Sequence, residues 1–136
     1  MESVEISFTP GSLTGDDYAA FVTHLKEQEN ELNRLSLQHT DDLKKNLFMY
    51  HNGGEEVIAA NNRARSQARK YLPAQEGTDV SHALDASAGG YLNNIPYRRP
   101  SESQRQVGRN WGGGRQNWRK IIPGRRHTLI AEPEKK

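Results

Sequence analysis

The chain has no cysteine, which removes disulfides, thiolate zinc sites and cysteine nucleophiles together and leaves carboxylate, imidazole and water to hold any metal. It has no apolar run approaching the roughly 20 residues that span a bilayer, so membrane insertion by this domain is not expected. Met1 to Pro10 lacks the basic start and apolar centre of a signal peptide, and any export would be directed from outside this chain. Apolar side chains are scarce as well. With 33% hydrophobic residues and a mean hydropathy of -0.95, 136 residues predict one small domain with a modest core. No internal repeat is present.

Charge is not evenly spread either. Residues 1–62 carry 4 Lys/Arg against 11 Asp/Glu, whereas residues 63–127 carry 13 Lys/Arg against 4 Asp/Glu, so a formal net charge of +2 conceals an acidic half and a basic half. Arginine dominates the basic half, and its planar fork suits bidentate phosphate contact. Arg63, Arg69, Arg98, Arg99, Arg109, Arg115 and Arg119 are the candidate nucleic-acid contacts. A solvated basic face is the plain alternative.

The periodicity predicts a mainly α protein: a small single-domain helical bundle with a loop-rich, basic C-terminal half. Residues 1–13 read as an extended lead-in, 14–127 as the folded domain and 128–136 as a disordered tail. Thr14 with Asp17 opens a helix in which Tyr18, Phe21, Val22, Leu25, Leu32 and Leu35 recur at helical spacing. A second starts at Thr40-Asp41-Asp42 and stops at Asn52-Gly53-Gly54; a third runs from about Glu55 to Leu72, with Val57, Ile58, Ala64, Ala68 and Leu72 on one face. Beyond Pro73 turn formers take over. A short helix is expected from Ser101, where Ser101 and Gln104 match a capping box, and another from about Arg115 to Ile122.

The densest chemical constellation is Asp79-Val80-Ser81-His82-Ala83-Leu84-Asp85, followed closely by Gly89-Gly90. His82 and Asp85, three apart, share one side of a helical turn, so one can poise a water while the other orients it or holds a metal. The same residues also suit an ordinary cap, with Asp79 or Ser81 starting a short helix. Trp111 and Trp118 lie among Arg109, Arg115 and Arg119, where they either stack on unpaired bases or fill the core. Gly112-Gly113-Gly114 is compatible with a phosphate-binding nest, but lacks the Lys-Ser/Thr of a nucleotide loop. His24, His39, His51 and His127 read as surface histidines.

The string His82-Ala-Leu-Asp85-x-x-x-Gly89-Gly90 resembles the HxxD-then-GG signature of the polymorphic toxin type 15 domain, a family of DNase toxins often fused to type VI secretion or Rhs-like carriers. Gln28-Glu29-Asn30-Glu31-Leu32-Asn33 resembles that family's QExxLN stretch, and Val107-Gly108-Arg109-Asn110-Trp111 followed by Arg115 resembles its IGxxW segment. The likeness runs in order over about residues 15–122. It implies that His82 and Asp85 are catalytic in a divalent-metal-dependent endonuclease acting on DNA. Asp85 and Asp79 would then be metal ligands, for Mg²⁺ by preference, since a hard ion needs only one or two protein carboxylates beside water and phosphate. It also implies a C-terminal effector module that acts in a target-cell cytoplasm and is neutralised by a cognate immunity protein, acidic because it must cover a basic surface. No residue separates DNA from RNA as substrate. A non-catalytic nucleic-acid-binding module and an adaptor of a secretion or phage particle are the readings from other classes.

Overall fold

The computed structural model describes residues 2–135. The protein is mostly α-helical, with two small sheets. In chain order it runs β1 (Val4–Phe8), α1 (Gly15–Gln38), α2 (Thr40–Asn52), α3 (Gly54–Tyr71), β2 (Thr78–Ser81), a 3₁₀ turn (Ala86–Ala88), β3 (Tyr97–Pro100), α4 (Ser101–Gly112), a second 3₁₀ turn (Asn117–Lys120) and β4 (His127–Ala131).

The long helix α1 is the spine. Phe21, Leu25, Leu32 and Leu35, at spacings of four, seven and three, fall on one helical face and bury against Ile6, Phe8, Leu43, Val107 and Trp111 in one core. Phe8 and Trp111 meet edge to face at 4.8 Å. The same stripe carries polar residues, since His24, Gln28 and Ser36 are as buried as the leucines beside them. Ser36 donates to the Arg125 carbonyl, and Gln28 reaches the candidate site.

The expected extended lead-in contains a strand, and part of the expected disordered tail pairs with it. β1 and β4 form a parallel pair, Val4 opposite His127 through Phe8 opposite Ala131. Ile6 and Phe8 alternate inward, the period-2 pattern of a half-buried strand. Residues 128–131 therefore belong to the fold, because each strand satisfies the backbone of the other and the resulting apolar face lies on α1. Two residues of the QExxLN stretch stitch this pair to the helix. Glu29 accepts the Leu129 N–H at 2.9 Å; Asn33 donates to the His127 carbonyl at 2.9 Å and accepts its N–H at 2.7 Å.

Three local expectations change. The Ser101/Gln104 capping box does not form: Gln104 Nε2 donates instead to the Val80 carbonyl at 2.6 Å, tying α4 to β2. The helix expected from Arg115 to Ile122 is a single 3₁₀ turn. On α3 only Ala68 is fully buried, in a small second cluster with Val80 and Ile95, while Ile58 is 58% exposed. α2 and α3 thus stand as a hairpin whose inner edge faces the segment that follows β2.

Candidate functional site

His82 and Asp85 do not lie on a helical turn. β2, paired antiparallel with β3 from Thr78 opposite Pro100 to Ser81 opposite Tyr97, delivers His82 at its end, and the chain then turns through Ala83 and Leu84 to Asp85, which caps the first 3₁₀ turn. The local helix is replaced by bonds from outside. The buried amide of Gln28 accepts the Asp85 N–H on Oε1 at 2.9 Å and donates from Nε2 to the His82 carbonyl at 3.2 Å. Trp111 fixes that amide, donating from Nε1 to the same Oε1 at 3.1 Å. Trp111 is therefore core, with 0% exposure.

Gly89 and Gly90 shape the exit from this turn. Gly89 has φ +95, and a Cβ there would lie 2.5 Å from Leu43 Cδ1; a Cβ on Gly90 would lie 1.9 Å from the Leu84 carbonyl oxygen. On α4, Gly108 and Gly112 keep the helix close to the same turn: a Cβ on Gly108 would stand 3.6 Å from Asp85 Oδ2, and one on Gly112 3.1 Å from Ser87 Oγ. None of Gly112, Gly113 and Gly114 takes positive φ, so this run is a close-approach surface and not a nest of alternating backbone hand.

These elements enclose a cleft of about 730 Å³ that brings His82 and Asp85 together with His51, Tyr50, Arg65 and Arg119. His82 Nε2 lies 2.9 Å from the Leu92 carbonyl. A carbonyl only accepts, so Nε2 carries the ring proton and Nδ1 keeps its lone pair. Burial lowers the His82 pKa, against the opposing pull of Asp85 and the Leu92 carbonyl, and Arg65 lowers it further. The imidazole is thus held neutral. Asp85 spends Oδ1 on the Ser87 N–H and hydroxyl at 2.9 and 2.7 Å; its Oδ2 makes no hydrogen bond among the described residues. Burial and then Asp85 raise the Tyr50 pKa, which keeps the phenol a proton-bearing donor.

Asp79 is placed differently. Arg65 donates to its Oδ2 at 2.9 Å and Arg69 to both oxygens at 3.1 and 3.2 Å. Burial would raise its pKa, but the Arg69 bonds, the Val80 N–H and the Arg65 charge together lower it. A carboxylate so engaged has little left for a metal. Among the described residues no three His, Cys, Asp or Glu side chains gather as a metal-holding group. What remains for a hard ion is one open carboxylate oxygen on Asp85, with most of its shell kept as water and phosphate.

The arginines separate into two sets. Arg119 lines the cleft, its guanidinium 4.7 Å from the Trp118 ring centre, and so does Arg65. Arg99 is ion-paired with Glu27, Arg115 with Glu132 at 2.7 Å and Arg69 with Asp79. Arg98 donates to the carbonyls of Leu72 and Thr78. Arg63 and Arg109 are exposed and lie outside the cleft lining. Much of the basic half therefore neutralises internal partners.

Sequence reasoning missed several residues here. His51 is no surface histidine: its ring stacks on Trp118 at 3.5 Å and 14° and its Nε2 donates to the Ser87 carbonyl at 2.8 Å. The stack also covers one face of Trp118. Buried His24, near 1% exposure, accepts from Gln28 Nε2 at 3.3 Å and leaves Nδ1 without a partner. His127 is equally buried, and only His39 is exposed as expected. A usable signal existed for Gln28: it occupies the apolar period between Leu25 and Leu32. Asn61 and Arg65, four apart on α3, share the cleft-facing side. Asn61 Oδ1 has no hydrogen-bond partner there. Comparison of the chain with protein-family models, with curated proteins and with solved structures finds no match.

Proposed function

We propose that the chain is a nuclease toxin domain that hydrolyses the phosphodiester bonds of DNA in this cleft. The observation that carries the reading is the meeting of a neutral, buried imidazole with a free Nδ1, a carboxylate with a free oxygen, and two guanidiniums in one open cleft. Phosphodiester hydrolysis asks for those parts: a base for the attacking water, and positive charge and donors for the phosphate oxygens as charge develops. His82 Nδ1 takes the proton of the water. Arg65 and Arg119 neutralise the phosphate, and the Tyr50 hydroxyl donates to one of its oxygens. Asp85 Oδ2 would hold Mg²⁺ together with water and substrate phosphate, and the bound ion would supply further positive charge at the phosphate. Asp79 has no part in this, since its oxygens are committed to Arg65 and Arg69.

The ordered likeness to the type 15 toxin domain supports the biological side of the reading, an effector module that attacks the DNA of a competing cell. Its immunity protein is then acidic and covers the cleft, excluding DNA directly. The test is incubation of the purified chain with plasmid DNA in Mg²⁺ and in chelator, beside the His82→Ala and Asp85→Asn variants. Nicking or linearisation that needs Mg²⁺ and falls by about 10²-fold or more in folded variants is expected; equal cutting by variants and wild type removes the assignment. A second reading, RNA as substrate, is favoured by the two imidazoles in one cleft, which suit proton transfer to and from a 2′-hydroxyl mechanism. Matched DNA and RNA strands decide between them.

A further inference from the structure

We infer that His51 is the proton donor to the leaving oxygen, the counterpart of His82 in the same cleft; the inference rests on the nuclease reading above. The two histidines are held in the same way. Each fixes Nε2–H on a backbone carbonyl, Leu92 for His82 at 2.9 Å and Ser87 for His51 at 2.8 Å, and neither Nδ1 makes a hydrogen bond among the described residues. Ser87 links His51 to the carboxylate: its N–H and hydroxyl grip Asp85 Oδ1 while its carbonyl holds His51. His51 is therefore anchored to the same turn that presents Asp85, although it arrives from the far end of α2.

Its ring orientation is locked as well. The parallel stack on Trp118 at 3.5 Å leaves the imidazole one rotational setting. Arg119 lies over the same indole, its guanidinium 4.7 Å from the ring centre. Of the other groups lining the cleft, the arginines do not give up a proton and Tyr50 is held in its protonated form. His51 is the group left in the cleft to hand a proton to the leaving oxygen.

The step balances without an additional reactant. Water forms the new O–P bond and loses one proton to His82 Nδ1; the P–O bond to the leaving nucleoside breaks, and that oxygen takes a proton from His51 Nδ1. A phosphomonoester and a hydroxyl leave, and proton exchange with solvent returns both rings to their starting states.

The test uses a DNA duplex carrying one mapped cut site, in two forms: the natural leaving oxygen, and a bridging sulfur in its place, which departs as a thiolate and needs no proton. In His51→Gln, whose amide can still donate to the Ser87 carbonyl, cleavage of the oxygen substrate should fall by about 10²-fold or more, while the sulfur substrate is cut within about tenfold of the wild-type rate. His82→Gln should lose both. Tyr50→Phe should keep the wild-type ratio of the two rates. Equal losses on both substrates in a His51→Gln or His51→Asn protein with wild-type melting overturn the inference, as does a sulfur-selective rescue appearing in Tyr50→Phe. A His51 variant that no longer melts cooperatively assigns the residue to folding and overturns it too. Wild-type protein that cuts neither substrate overturns the nuclease reading itself, and His51's role with it.

Discussion

Gln28 and Asp85 are joined by a bond from the Asp85 N–H to Gln28 Oε1 at 2.9 Å, and the same amide donates to the His82 carbonyl, so one side chain on α1 closes both ends of the His82-to-Asp85 turn. Replacing it with leucine leaves that N–H and the Trp111 indole without partners in a buried place, and leaves that carbonyl only the Ser81 hydroxyl at 3.4 Å. Each orphaned group costs about 1–3 kcal/mol, so Gln28→Leu should lose about 3 kcal/mol or more. Cleavage should fall further than the folded fraction does, because His82 and Asp85 lose their mutual spacing. Urea denaturation beside cleavage rates under folding conditions checks both. A stable Gln28→Leu protein with wild-type cutting would show that the turn holds itself.

The α1 stripe and the Gly89-Gly90 stop were legible because each is local: a period of three to four residues, a doublet that ends a turn. What was illegible is long-range. β1 and β4 pair across the whole chain, and neither five-residue segment announces a partner. The helix expected at His82 gave way because bonds from α1 and β3 hold the turn open. Charge counting saw the arginines but not their acids, since Glu27 lies 72 residues from Arg99 and Glu132 lies 17 from Arg115. His51 carried no motif, and only the Trp118 and Ser87 contacts identify it.

That division of the arginines predicts where salt dependence originates. Arg65→Ala with Arg119→Ala should flatten the dependence of DNA affinity on salt by about one to two units of slope, roughly one counterion per lost phosphate contact. Arg99→Ala and Arg115→Ala should leave the slope alone, because neither guanidinium lines the cleft. Filter binding or fluorescence anisotropy across a salt series measures this. A slope that responds to Arg115 and ignores Arg65 and Arg119 would move the nucleic-acid track off the cleft.

The glycines near the site should differ sharply in their tolerance. Gly90→Ala drives a methyl to 1.9 Å from the Leu84 carbonyl oxygen and 2.7 Å from its carbon. Backbone must move there, and a loss of about 3 kcal/mol or more is expected. Gly77, with φ +75 and no neighbour near the added carbon, should cost only about 1 kcal/mol on the same change. Thermal melts of the two variants give the comparison, and similar values for both would show that the Leu84 contact relaxes.

Acid should destabilise the fold through His24. Burial, with the Arg99 charge, lowers the pKa of His24 from 6.5 to about 4 against a smaller pull from Asp85. Between those values the unfolded chain binds a proton that the folded chain refuses, so this contribution is complete above pH 6.5 and is lost as pH falls toward 4. Spread over that window it comes to about 3 kcal/mol, at about 1.4 kcal/mol per pH unit for one proton. His82 and His127 are lowered by burial in the same direction and add to the slope. His24→Gln, which cannot titrate, should therefore show a dependence of unfolding free energy on pH shallower by one proton's share between pH 6 and 4.5. Urea denaturation at closely spaced pH values measures that slope, and a His24→Gln curve parallel to wild type would mean that the imidazole is protonated inside the fold.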